Sequence, residues 1–208
     1  MKTYVFGDPK SPICLVQPVD DHDLEGIRNE YEKIRELTGM DFCLTAIKVN
    51  DWNKDLSPWE APAVFGIENF GDGAADTLKE ILSLCTDKDK KYYIGGYSLA
   101  GLFSLWASVQ TDKFEGVAAA SPSVWFPDFL EYIRERKPLC RKIYLSLGVK
   151  EEKTRNPVMA TVGDKIRELD SFLAQQGFDC VLEWNEGNHF KDFDIRTAKA
   201  FANVMSRQ

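Results

Sequence analysis

Histidine is scarce in this chain: His22 and His189 are the only two in 208 residues. Imidazole-based metal centres need more ligands than that. The five cysteines contain no Cys-x-x-Cys pair that could replace them. No metal or organic cofactor is therefore expected. Positive charge is also short, with 26 Lys and Arg against 33 Asp and Glu and a net charge of −7. Such a balance argues against nucleic acid or an anionic membrane as partner. No apolar run approaches the roughly 20 residues that cross a bilayer. The segment from Met1 to Pro9 lacks the apolar stretch of a signal peptide. Unpaired cysteines, of which Cys14, Cys43 and Cys180 lie in or beside strand-like runs and Cys85 ends a helix, read as buried free thiols of a cytoplasmic protein. Gly71-Asp72-Gly73 has no strand leading into it and no third glycine, so it is not a dinucleotide loop.

What the chain does have is alternation. Ile13 to Val19 reads as a central strand, stopped by the acidic turn Asp20 to Asp23. A helix follows with Leu24, Ile27, Tyr31, Ile34 and Leu37 on one face and Gly39 as its stop. Phe42 to Val49 is the next strand, followed by an aromatic loop, 50–62, in which prolines exclude regular structure. Strands are then predicted at Tyr92 to Ile94, Phe114 to Ala120, Lys142 to Gly148 and Cys180 to Trp184. Helices separate them; the longest carries Val158, Val162, Ile166, Leu169 and Leu173 and is capped at Gly177. Strand and helix alternating throughout predict one doubly wound α/β domain over residues 1–208, with a mostly parallel sheet covered on both faces. Functional groups in such sheets collect beyond the carboxyl ends of the strands.

One stretch concentrates the chemistry. Tyr92 to Ile94 leads through Gly95-Gly96-Tyr97 to Ser98, then Leu99-Ala100-Gly101 and an apolar helical run. This has the form of a nucleophile elbow, a strand-to-helix turn tight enough that small residues must flank the serine at −2 and +2. The usual pattern is Gly-x-Ser-x-Gly, and here Ala100 takes the last place. Past the ends of later predicted strands come Glu151 and Glu152, then His189. A serine hydroxyl needs an imidazole to remove its proton, and the imidazole needs a carboxylate to fix its tautomer. The order serine, acid, histidine is that of α/β-hydrolases. With so few histidines, His189 is the expected base, and His22 reads as a loop residue beside the site.

The chain resembles the esterases of the α/β-hydrolase fold that include esterase D and the enterochelin-esterase-like enzymes. Four places carry the resemblance: Gly96-Tyr97-Ser98-Leu99-Ala100-Gly101, Ser121-Pro122-Ser123-Val124-Trp125, Gly148 to Lys153, and Gly187-Asn188-His189. There are two departures. The amino-terminal antiparallel strands of larger members are not evident, and no His-Gly-Gly-Gly motif is present. The resemblance implies an oxyanion hole from the backbone N–H of Leu99 and the loop around Asp20. It also places the acid at the earlier of the two glutamates, Glu151. Without a lid domain, the site is expected to be open and bordered by Tyr97, Trp52, Trp59 and Trp125. The expectation is a serine esterase acting on a small-molecule ester. An acyltransferase or peptidase with the same residues, or a binding protein on a hydrolase scaffold, are the alternatives.

Overall fold

Strands form where this chain strings together β-branched and aromatic residues, and helices where apolar residues recur every three to four. The computed structural model describes residues 1–207. Its strands are β1 (Lys2–Gly7), β2 (Ile13–Val19), β3 (Cys43–Lys48), β4 (Lys91–Tyr97), β5 (Phe114–Ala120), β6 (Lys142–Gly148) and β7 (Asp179–Asn185). They make one sheet in the order β1-β3-β2-β4-β5-β6-β7. The six strands from β2 to β7 are parallel, and β1 runs antiparallel to β3 at the edge.

The helices are α1 (Asp21–Thr38), α2 (Trp52–Asp55), α3 (Ala74–Leu84), α4 (Leu99–Gln110), α5 (Phe129–Arg136), α6 (Val162–Gln175) and α7 (Phe193–Ser206). α1 and α7 cover one face, with Ile27, Ile34 and Phe201 packed among Leu15, Leu44 and Tyr144. α3, α4, α5 and α6 cover the other. The doubly wound, mostly parallel sheet is as expected. α4 is apolar all round because it lies between the sheet and its neighbouring helices; Leu102, Phe103 and Leu105 are essentially inaccessible to solvent. Each such side chain contributes roughly 1.5–3 kcal/mol of burial. Among the described residues, no helix is long and apolar enough to cross a membrane.

Four local expectations are corrected. An antiparallel strand does precede the parallel set: β1 is an edge strand, half exposed, so it shows no continuous apolar run. The acidic segment after β2 is a helix start and not a turn. Asp20 caps α1 by accepting from the Asp23 N–H at 2.8 Å, and the exposed Asp21 sits favourably in the first turn. The loop at 50–62 contains α2, capped by Asp51, because its prolines come only after the helix ends. Val158 lies outside α6 and is 41% exposed.

The chain runs from β2 outward to β3, then returns to the far side of β2 to lay down β4. The crevice between the carboxyl ends of β2 and β4 is therefore the switch point where such sheets bind ligands. Asp20 follows β2 there, and Ser98 follows β4.

Candidate active site

Between the last residue of β4, Tyr97, and the first of α4, Leu99, stands Ser98 alone, at φ 56° and ψ −118°. L residues avoid that backbone region, so the surroundings must hold it. The Ser98 N–H donates to the Ala120 carbonyl, and the Ser98 carbonyl accepts from the N–H groups of Leu102 and Ser123, all at 3.1 Å. A Cβ on Gly96 would lie 2.6 Å from the Ala100 Cβ. Alanine at 100 is admitted because 96 is glycine: the contact has room for one methyl group, not two.

His189, in the loop after β7, brings Nε2 to 3.0 Å from Ser98 Oγ. Its Nδ1 lies 2.7 Å from Glu151 Oε2. Glu151 opens the 3₁₀ turn that follows β6. Glu152 points elsewhere and pairs with Arg167 at 2.9 Å. The second oxygen of Glu151 accepts from the Gly148 N–H at 2.7 Å, the Ser121 hydroxyl at 2.8 Å and Arg196 at 3.0 Å. Burial pushes the Glu151 pKa up, but the hydrogen bond and charge of His189, the Gly148 N–H and the Ser121 hydroxyl outweigh it, and the net shift is downward. An ionised Glu151 can only accept. A neutral His189 beside it has its proton on Nδ1 and presents Nε2 to the Ser98 hydroxyl as an acceptor.

The need for glycine at position 148 is spatial. A Cβ there would meet the Gly187 carbonyl at 2.6 Å, Glu151 Oε1 at 2.9 Å and Arg196 Nη1 at 3.0 Å.

Arg196 was not anticipated. It is 2% exposed, and besides Glu151 it donates to the Tyr97 hydroxyl at 2.9 Å and the Glu186 carbonyl at 2.9 Å. The Tyr97 hydroxyl in turn donates to the His189 carbonyl at 2.8 Å. One signal was present in the sequence: Phe193, Arg196 and Ala200 share a helical face, and an arginine on an apolar stripe needs a buried partner.

A cavity of about 470 Å³ opens over Ser98, walled by Tyr97, Trp52, Trp125, Phe190 and His189, with Asp20 and Asp23 on the α1 side. A second, of about 490 Å³, shares Trp125, His189 and Phe190 and reaches Lys150 and Lys153. Trp59 does not line either cavity, which corrects its expected place at the site. Its ring packs 5.7 Å from Phe126 and 5.2 Å from Tyr132, and its Nε1 donates to the Pro127 carbonyl at 3.2 Å. His22 lies against Phe193, with ring centroids 4.6 Å apart, and borders the first cavity. Leu99 opens α4, so its N–H has no acceptor within the helix. Among the described residues no three His, Cys, Asp or Glu side chains converge as metal ligands.

No family model and no curated protein sequence matches the chain. Solved structures do match. The chain is similar to the siderophore hydrolase EstA of Aspergillus nidulans, at TM-score 0.69 and 18% identity over 97% of this chain and 86% of that one. It is similar to an IroE-like serine hydrolase of Shewanella oneidensis, at TM-score 0.67 and 13% identity over 97% and 73%. A Bacillus cereus carboxylesterase aligns at TM-score 0.61 and 16% identity over 97% and 93%. At these identities the likeness establishes architecture: the chain has a compact α/β-hydrolase fold.

Proposed function

We propose that this protein is a serine hydrolase that cleaves carboxylic esters through an acyl-enzyme intermediate. One observation carries the reading. Ser98 Oγ, His189 Nε2, His189 Nδ1 and Glu151 Oε2 form an unbroken series with gaps of 3.0 and 2.7 Å beyond the carboxyl ends of parallel strands. Neighbours described as a siderophore hydrolase and a carboxylesterase support the same reaction class.

In this reading Ser98 Oγ attacks the ester carbonyl carbon as His189 Nε2 takes the hydroxyl proton. The carbonyl oxygen becomes an oxyanion held by the Leu99 N–H; the Asp20 N–H, expected as the second donor, is engaged by the Asp23 carboxylate. One such donor contributes about 3–4 kcal/mol to the barrier. The imidazolium, stabilised by ionised Glu151, returns the proton to the alkoxy oxygen, and the alcohol departs. Water then attacks the acyl-serine with His189 again as base, releasing the acid and restoring the Ser98 hydroxyl. Trp52, Trp125 and Phe190 favour an apolar or aromatic group beside the reacting carbonyl. The His189 side chain is 25% exposed, so water reaches it, which favours hydrolysis over transfer to another acceptor. A scaffold that only binds would have no need of the 3.0 Å contact.

The test is a fluorophosphonate probe together with chromogenic esters of graded acyl length. Ser98 alone should be labelled, and Ser98→Ala should lose both labelling and turnover. His189→Ala should lower the rate at least a thousandfold, and His22→Ala far less. Labelling at Ser121 or Ser123, or hydrolysis that survives Ser98→Ala, refutes the reading.

A further inference from the structure

A buried carboxylate needs a compensating charge. The charge of His189 helps to lower the Glu151 pKa only while the imidazole is protonated, and as a base it has to be uncharged, so that charge is then missing. The cation at hand is Arg196. Its Nη1 donates to Glu151 Oε1 at 3.0 Å and to the Tyr97 hydroxyl at 2.9 Å, and its Nη2 donates to the Glu186 carbonyl at 2.9 Å. Tyr97 then holds the His189 carbonyl at 2.8 Å. One guanidinium thus joins the acid after β6, the histidine loop after β7 and the residue preceding Ser98.

We propose that Arg196 is a positioning residue for the Ser98–His189–Glu151 series: it keeps Glu151 ionised and, through Tyr97 and the Glu186 carbonyl, holds the His189 loop in place. The inference rests on the hydrolase reading above. Its chemistry lies in the tautomer. Arg196, Ser121 and the Gly148 N–H occupy Oε1, which leaves Oε2 to His189 alone. If Glu151 were protonated on Oε2, it would donate to Nδ1 instead of accepting. The imidazole proton would then sit on Nε2, and Ser98 would face a donor that cannot take its proton. Burial alone raises a carboxyl pKa by up to about 3–5 units. The other titratable or charged groups around Glu151 are His189, Tyr97 from β4, and Lys150 and Lys153 of its own segment, which line the cavity beside it. Of the cations, only Arg196 is buried against the carboxylate, with side-chain exposures of 2% and 4%.

The rate of fluorophosphonate labelling at Ser98, followed from pH 5 to 9, needs no knowledge of the substrate. R196M, R196K and Y97F are compared with wild type, with folding checked by circular dichroism. R196M should move the acid limb upward by about one pH unit or more, labelling about tenfold slower at pH 6 and approaching the wild-type rate above pH 8. R196K keeps the charge but not the fork, so it should label more slowly at every pH with the limb unmoved. Y97F should behave like R196K. Wild type that is not labelled at Ser98 refutes the hydrolase reading itself. Wild type that is labelled, with folded R196M matching it at every pH, overturns the role of Arg196 alone. So does an equal loss in R196M and R196K with neither limb moved. If R196M does not fold, slower labelling with an unmoved limb in both R196K and Y97F supports the inference, and wild-type rates in both overturn it.

Discussion

Asp23 sits in the first turn of α1 with 8% exposure, and its Oδ2 has no hydrogen-bond partner. Burial, and secondarily the charge of Asp20, raise its pKa from 3.8 to about 7, against a hydrogen bond from the Asp20 backbone. The direction of the pH effect follows. The folded state holds this proton up to about pH 7, whereas the unfolded chain releases it near pH 4. Between those values the unfolded state binds fewer protons, so stability falls as pH rises, and the loss is complete above about pH 7. A shift of about three units corresponds to about 4 kcal/mol. Asp23→Asn keeps an oxygen acceptor for the Asp20 backbone and removes the charge. It should match wild type near pH 4 and gain up to about 4 kcal/mol at pH 8, about 10 °C in Tm for a chain of this length. Urea and thermal unfolding at pH 4.5, 6, 7 and 8 measure this directly. Fully buried Glu30, whose pKa is also raised by burial despite a 3.3 Å hydrogen bond from Gln17, should add a slope of the same sign that Glu30→Gln removes. A stability difference between Asp23→Asn and wild type that is the same at pH 4.5 and pH 8 would refute the reasoning.

Two further outcomes are expected. Glu151→Gln should lower kcat about a hundredfold, on the order of 3 kcal/mol in the barrier, while Glu152→Gln stays near wild type because its partner is Arg167 at the surface; steady-state kinetics that reverse this ranking would move the acid to Glu152. Gly96→Ala should cost about 1–3 kcal/mol by overpacking against the Ala100 methyl, and adding Ala100→Gly should recover most of it. Simple additivity in denaturant unfolding would mean that the two positions do not share that space.

The sequence by itself determined the alternation of strand and helix, the elbow around Ser98, and the chain order of serine, glutamates and histidine. Each of these is local: periodicity and small-residue spacing are consequences of backbone geometry over a few residues. Even the end of α1 at Gly39 was legible, because the left-handed residue there, at φ 62°, is one that glycine adopts at little cost. β1 was not, since an edge strand with one solvated face carries little apolar signal and acquires its register only by pairing with β3. Glu151 and Glu152 are adjacent and chemically alike; only the 3₁₀ turn after β6 decides which carboxylate faces His189 and which meets Arg167. Trp59 and Trp125 likewise could not be told apart by composition, and one packs on Phe126 and Tyr132 while the other walls the cavity. Arg196 is the extreme case: 45 residues beyond Glu151, its guanidinium reaches that carboxylate only because α7 packs back across β4, β5 and β6. Side-chain direction at a turn, and the distance between elements far apart in sequence, depend on the packing of the whole sheet and its helices, and no local pattern encodes them.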